Sequence, residues 1–471
     1  MSEEASKGSA IERGFEYIDK GVFEDELRDA VAFHTESQRP ESVPELERYI
    51  NELMIPAFTA MGFECTVYPN SFEGCGPFLL ATRHESDDFP TVLGYGHGDV
   101  IQGQDNQWTK GKGPWETARD GDKIYGRGTA DNKGQHILNM AAMRTIMETR
   151  GQLGFNAKAL IEMGEENGSK GLREVVSANK EAFAADVFIG SDGPRVTAER
   201  PTITFGNRGA INFDMLVDLR EGGHHSGNWG GLLASPGAIL NNAIASIVDA
   251  NGVIQIKEWL PPRITNSVRE ALKDVVIEPG EGGPEIDPNW GQPGLTPAEK
   301  VCAWNSFDVL AMKIGSPENP VNAIPPSAWA HCQLRFVVGT DMDDIQPALR
   351  RHLDEHGFFQ VQVLSPGDDN AIHFAASQTD MDGSWAQWVI KSLEGTIGAK
   401  PALIPATGGS IGNDIFADIL GLPTIWIPHS YPSCSQHAPD EHILFSGFRS
   451  AMEVMTGLYW DLGEGNTPGK G

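Results

Sequence analysis

Three buried-strand patterns in this chain each end on residues able to do chemistry. TVLGYG at 91–96 runs into His97, AKALIEM at 157–163 runs into Gly164 and Glu165, and DVFIG at 186–190 runs into Ser191 and Asp192. Apolar runs that break into short polar loops, several followed by helical patterns, are the rhythm of an α/β fold. In open α/β sheets, ligands sit beyond the carboxyl ends of the strands. Three such endings predict one shared crevice.

After Pro201 the texture changes. Ile211, Phe213, Met215, Val217 and Leu219 alternate with Asn212, Asp214, Leu216 and Asp218, of which only Leu216 is apolar. That period of two predicts a strand with one buried face in an antiparallel sheet. A helix is expected over 236–249, strands over 328–338 and 358–364, and a helix over 343–356 between them, an order that resembles a split βαβ layer. The Gly/Pro/acid-rich stretch 277–297 reads as a long loop or lid insertion. From about residue 378 long helical and buried-strand patterns return, including PTIWIP at 423–428. A smaller domain inserted into a larger α/β domain accounts for this order.

Composition narrows the function classes. The 471 residues carry 36 Lys and Arg against 65 Asp and Glu, a formal charge of −29. Such a surface repels phosphate backbones and anionic lipid headgroups, so neither nucleic acid nor membrane is expected as a partner. No stretch reaches the ~18 apolar residues of a membrane helix, and the opening residues lack a secretory pattern, which leads to an expected cytoplasmic location. The five cysteines are scattered and form no C-x-x-C pair, so any metal must be held by His and carboxylates.

Five residues fit that requirement. GHGD at 96–99 offers an imidazole, with a carboxylate two residues on that can fix its tautomer; a plain polar loop is the alternative. In YGRGTADNKG at 125–134, Asp131 precedes a helical run and would otherwise be an N-cap. EMGEENGS at 162–169 sets Glu165 beside Glu166, a repelling pair that makes sense next to a cation and otherwise is a surface loop. Asp192 in GSDGP and His437 in CSQHAPDEH complete the set. Each alone is explained by structure or solvation. Together, all oxygen or imidazole, they suit Zn²⁺ or Mn²⁺ and the sharing needed by two metals ~3.5–4 Å apart.

Over nearly its whole length the chain resembles the M20 family of co-catalytic metallopeptidases, particularly its carnosinase-like dipeptidase branch. The resemblance is carried by GHGD, YGRGTADNKG, EMGEENGS, SDGP, HHSGNWGG at 224–231, NAIP at 322–325, Arg335 in CQLRF, GGSIG at 408–412 and QHAPDEH. It implies a mixed-sheet catalytic domain with helices on both faces, formed by 1–204 and 379–471, and an inserted smaller α+β lid and dimerisation domain, 205–378. It implies two divalent ions, zinc foremost with manganese or cobalt as alternatives, one held by His97 and Asp192, the other by Glu166 and His437, with Asp131 bridging. Asp99 would orient His97, and Glu165 would be the general base that activates a metal-bridging water. Arg335, Gly409 and Ser410 would grip a substrate carboxylate. Asn322 would hydrogen-bond the substrate, and His225 would reach into the partner's site of a homodimer, with His224 leaving a one-residue ambiguity. The implied reaction is hydrolysis of an amide bond in a dipeptide or similar small substrate with a free carboxylate; an N-acyl-amino-acid deacylase or a non-catalytic amino-acid-binding module are the alternatives. The family often carries Thr, Val or Tyr where this chain has Gly98, a change expected to loosen the loop and alter the pocket. The remaining histidines, His429 among them, are expected to lack comparable strand-end partners.

Overall fold

The computed structural model describes residues 5–277, 284–367 and 373–469. Its largest element is an eight-stranded mixed sheet, in the spatial order Glu64–Tyr68, Phe78–Arg83, Asn156–Glu162, Thr91–His97, Val187–Gly190, Thr424–Trp426, Thr202–Thr204 and Ala402–Ile404. Thr91–His97 runs parallel to Asn156–Glu162 on one side and to Val187–Gly190 on the other. Register sets His97 opposite Glu162 and Tyr95 opposite Gly190, so the three predicted strands end level with one another. The loops bearing Glu165, Glu166 and Asp192 therefore leave the same sheet edge as His97.

Side chains alternate across a strand, and here the alternation sorts them into two cores. Val92, Ala159, Ile161, Val187 and Ile189 join Leu27, Leu138, Val389 and Met455, from four helices on one face. Leu93, Tyr95, Leu160 and Phe188 face the other way, toward Leu172 and Val176 of Leu172–Ala178 and toward Phe416. Helices on both faces explain why these strands read as near-continuous apolar runs. The helix Lys133–Arg150, which follows Asp131, is buried along most of its length and ends at Gly151, whose φ of 84° suits a left-handed C-cap. Its buried Lys133 ammonium donates to the carbonyls of Ala30 and Phe33 at 3.0 and 2.8 Å.

Between Thr202–Thr204 and Ala402–Ile404 the chain builds a second, five-stranded sheet, in the order Ser306–Ile314, Ser327–Phe336, Gly209–Asp218 and Val361–Leu364, with His373–Phe374 also paired to Gly209–Asp218, all antiparallel. The alternation predicted from Ile211 onward is present: Ile211, Phe213, Met215 and Val217 are buried with Leu240 and Ile247 of Pro236–Ile247 and with Leu349 and Leu353 of Ile345–Glu355. Ser306–Ile314 was not anticipated. It is an edge strand whose residues from Asp308 to Lys313 are exposed although Val309, Leu310, Ala311 and Met312 are apolar, so its sequence lacks the alternation of a half-buried strand. Of the loop expected at 277–297, residues 278–283 lie outside the described residues. A short ribbon pairs His224–His225 with Ala323–Ile324. All five cysteines are free, and among the described residues no helix is long and apolar enough to cross a membrane.

Candidate active site

His97 ends the central strand fully buried, with Nε2 3.0 Å from Asp131 Oδ1 and 3.7 Å from Asp192 Oδ2. The second oxygen of Asp131 is 3.1 Å from His437 Nε2, which is itself 3.0 Å from Glu166 Oε2. Two donor groups result, His97–Asp131–Asp192 and Asp131–Glu166–His437, each with its ligand atoms within 4.8 Å of one another, and Asp131 belongs to both. A tetrahedral site with bonds of ~2.0–2.2 Å has donor–donor edges of about 3.4 Å, so these residues fit a pair of divalent ions of the zinc type. Glu165 belongs to neither group, and its Oε2 lies 4.0 Å from His97 Nε2.

The electrostatics agree with that fit. Burial, then the carboxylates of Asp192, Glu166 and Asp131, push Glu165 well above the usual carboxylate range. Burial, then Asp131, raises Glu166 to about 7 and Asp192 to about 6. Burial opposes charge on His97, but hydrogen bonds to Asp131 and Asp99 outweigh it and lift its pKa. Hydrogen bonds to Asp131 and Glu166 raise His437 to about 11. The carboxylates thus draw protons onto both imidazoles. Divalent cations would displace those protons and provide the same compensation.

Local structure holds each donor in place. The Asp131 loop is organised by Glu441, only 1% exposed, whose Oε1 accepts from the amides of Gly128, Ala130 and Asp131 at 3.0, 3.0 and 3.1 Å while Oε2 pairs with buried Arg127 at 2.7 Å. The Asp131–Asn132 peptide is cis. Asn132 Nδ2 donates to the carbonyl of Ser191 at 2.7 Å, linking this loop to the one that carries Asp192. Asp99 faces two ways: His97 Nδ1 lies 3.0 Å from its carbonyl oxygen and 3.4 Å from its carboxylate, and that carboxylate accepts from the amides of Glu165 and Glu166 at 3.2 and 3.1 Å. Ser435, His437 and Asp440 have φ of 57°, 58° and 63°, a left-handed conformation that non-glycine residues adopt at strained, over-determined loops. Asp440 ties that loop down by accepting from the amides of Thr109 and Lys110 at 2.8 Å each.

A cavity of about 410 Å³ opens on the cluster, lined by Asp131, Glu165, Asp192, Thr407, Gly409, Ser410, Gln436 and His437 among others. Arg335 Nη1 sits beside this loop, 3.3 Å from Ser410 Oγ and 3.4 Å from the Gly408 carbonyl oxygen. Arg335, His225 and Asn322 are not among the residues lining the cavity, and of the three Arg335 touches one that is, Ser410. His225 is exposed on its ribbon, its Nδ1 accepting from the Gly227 amide at 3.1 Å, and the Asn322 carbonyl accepts from the Ser226 amide at 2.9 Å. Asp131 is not a helix cap: the N-cap position falls on Asn132. Gly98 does not loosen the loop. A Cβ there would lie 2.4 Å from the Tyr49 ring and 2.8 Å from Met163 Sδ, its amide donates to Glu162 O at 2.9 Å, and its carbonyl accepts from Thr35 Oγ1 at 2.7 Å. The space a side chain at 98 would take is filled by Tyr49.

Several residues of the site escaped sequence reasoning. Glu441 lies within QHAPDEH, where nothing in the sequence separates a buried acid from an exposed one. Gln436, next to His437, donates to Asp131 Oδ2 at 3.0 Å, and no sequence signal distinguishes it from a solvated amide. His429, just past the strand Thr424–Trp426, does have strand-end partners: its Nε2 lies 3.1 Å from both Ser191 Oγ and Asn139 Oδ1, and it is buried beneath the Asp192 loop. The PTIWIP pattern leading into it was the available signal.

The fold and the two adjoining donor groups suit a metallopeptidase with a dinuclear site. Residues 93–461 match the sequence profile of peptidase family M20/M25/M40, and the chain belongs to that family. It is 28% identical over 373 residues to a cysteinylglycine-S-conjugate dipeptidase of Corynebacterium striatum, covering 74% of this chain and 75% of that one. It is 32% identical over 262 residues to a β-Ala-His dipeptidase of Mus musculus; that match spans about half of the relative, 52% of each chain. The crystal structure of human carnosine dipeptidase 1 superposes with a TM-score of 0.74 at 22% identity, over 96% of this chain and 99% of that one, a likeness of fold.

Proposed function

We propose that the protein is a metal-dependent dipeptidase, cleaving the amide bond of a dipeptide or similar small substrate that carries a free carboxylate. One observation carries the reading. Asp131 is shared by two three-residue donor groups, and Glu165 stands beside them without belonging to either. A site that served only to hold ions would not need that extra carboxylate. The names of the relatives, a cysteinylglycine-S-conjugate dipeptidase and a β-Ala-His dipeptidase, support the substrate class.

In this reading His97 and Asp192 hold one divalent ion, Glu166 and His437 the other, and Asp131 both, with zinc the expected metal. Bound there, the ions supply Lewis acidity, polarising the scissile carbonyl and lowering the pKa of water at the site. Glu165 accepts the proton of the attacking water and returns it to the leaving nitrogen, a role suited to a carboxyl whose pKa is raised by burial. Asp99 fixes the His97 ring through Nδ1 and, through two amides, the Glu165–Glu166 turn. Arg335, Gly409 and Ser410 receive the substrate carboxylate, and a planar guanidinium suits that contact. Residues 1–204 and 379–471 form the catalytic domain in this scheme, and 205–378 an inserted lid through which two copies associate, bringing His225 to the partner's site, while Asn322 hydrogen-bonds the substrate from that lid. The location is cytoplasmic.

The test is metal analysis of the purified protein, followed by turnover of a panel of dipeptides and N-acyl amino acids with the ion found. Cleavage of free dipeptides is expected. Cleavage of the N-acyl amino acids alone would turn the assignment to a deacylase, and no turnover of either would overturn it. If a demonstrably monomeric form is fully active, the role of His225 across a dimer is wrong.

A further inference from the structure

Two guanidinium groups converge on one carbonyl oxygen at the edge of the catalytic cavity. Arg208 Nε and Nη2 donate to Gly408 O at 3.2 and 3.1 Å, and Arg335 Nη1 approaches the same oxygen at 3.4 Å. Arg208 is 7% exposed, and among the described residues neither arginine forms an ion pair with a carboxylate; Asp308 acts on both only from a distance. Burial, and then the neighbouring Arg335, brings the Arg208 pKa down to about 10. Placing two cations side by side without a counter-ion is unfavourable unless an anion arrives to share them.

Arg208 also lies where the chain passes from one sheet to the other. It directly precedes Gly209–Asp218 of the second sheet, and its own backbone is laced to the cavity loop: its amide donates to Thr407 O at 3.1 Å, and its carbonyl accepts from Ser410 Oγ at 2.7 Å. The side chain adds longer contacts to Trp304 O and Ser306 Oγ, both at 3.5 Å. Ser306 in turn is opposite Arg335 in the edge-strand pairing. A single guanidinium thus holds the loop 407–410 against the strands that carry Arg335. Arg208 lines a neighbouring cavity rather than the catalytic one, and its side chain reaches the catalytic loop through the Gly408 carbonyl, whereas Arg335 approaches Ser410, which lines the catalytic cavity.

We infer that Arg208 is a positioning residue for the substrate carboxylate: it fixes the Gly408 carbonyl and, by like charge, keeps the Arg335 guanidinium directed to the Ser410 side of the loop. The inference rests on the dipeptidase reading, and it makes a claim that reading does not. The benefit of Arg208 is conditional on the substrate carrying a free carboxylate. Arg208→Lys keeps the charge but loses the fork that spans Gly408, Trp304 and Ser306.

The experiment compares dipeptides with their C-terminal amides on wild type and Arg208→Lys, with melting curves to confirm folding. For the acids KM is expected to rise roughly tenfold with kcat nearly unchanged, while the amides are unaffected, so the preference for acid over amide collapses. Arg208→Lys combined with Arg335→Lys is expected to lose less than the sum of the two single effects. Equal losses on acid and amide, or none on either, overturn the inference, because a merely structural arginine does not distinguish the two substrates. Wild type that cleaves acids and amides alike also overturns it while leaving dipeptidase activity intact. If wild type cleaves nothing, the functional reading fails, and calorimetric Kd values for the same acid and amide pairs on both proteins decide the inference separately.

Discussion

Glu165 is the residue on which the proposed chemistry turns. Exchange to Gln keeps its shape but removes its capacity to take a proton, and its carboxylate belongs to neither donor group. Glu165→Gln is therefore expected to bind the same amount of metal as wild type and to lose roughly 10²–10⁴-fold in kcat. Elemental analysis beside a turnover assay checks this, and unchanged activity removes Glu165 from the role. Gly98 makes a second case. Because Tyr49 occupies the volume a side chain would take, Gly98→Val forces the ring aside and is expected to cost about 1–3 kcal/mol by chemical denaturation, a loss that Tyr49→Leu in the same chain partly recovers. Single residues were legible in the sequence to the extent that their chemistry is unusual. Adjacent carboxylates and imidazoles at strand and loop ends stood out only when taken together, whereas the partner of Gly98 sits in a helical segment that no local pattern connects to it.

At the scale of elements, the site depends on how firmly the Asp131 loop is tied to the loop that carries His437. Glu441 makes that tie with three amides and a buried ion pair to Arg127. Removing one partner of a buried pair strands the other, so Glu441→Ala is expected to destabilise by about 3–5 kcal/mol and to weaken metal binding, while Glu441→Gln with Arg127→Met loses less. Denaturant melts with a metal titration on each variant check it. Equal stability of Glu441→Ala and wild type would show that the loop does not need the tie. The same scale shows what periodicity can report. Gly209–Asp218 was readable because one face is buried, and Thr91–His97 because both are. Ser306–Ile314 was not, since the apolar run Val309 to Met312 does not alternate and, on an edge strand, stays exposed. Level strand ends are likewise a property of register, which no single strand encodes.

For the whole molecule, the central fact is that a chain with a net charge of −29 gathers four carboxylates into one buried place. The five candidate ligands come from separate stretches between His97 and His437. Their meeting was expected from strand endings and from family resemblance, not from any local signal, because only the assembled sheet brings them together. Like charges so close oppose folding unless cations offset them, so the native state should bind divalent ions and the unfolded chain should not. Such binding stabilises by about 2.7 kcal/mol for each site when free ion exceeds its Kd a hundredfold. Chelation is then expected to lower Tm by several degrees, and zinc to restore it with two ions bound per chain. Asp192→Asn, which touches one donor group, should retain one ion and roughly half the shift, whereas Asp131→Asn should weaken both. Calorimetric stoichiometry with melting curves reads this directly. One ion per wild-type chain, or a Tm indifferent to chelator, would mean that the two donor groups do not act as a pair and that the shared carboxylate has another purpose.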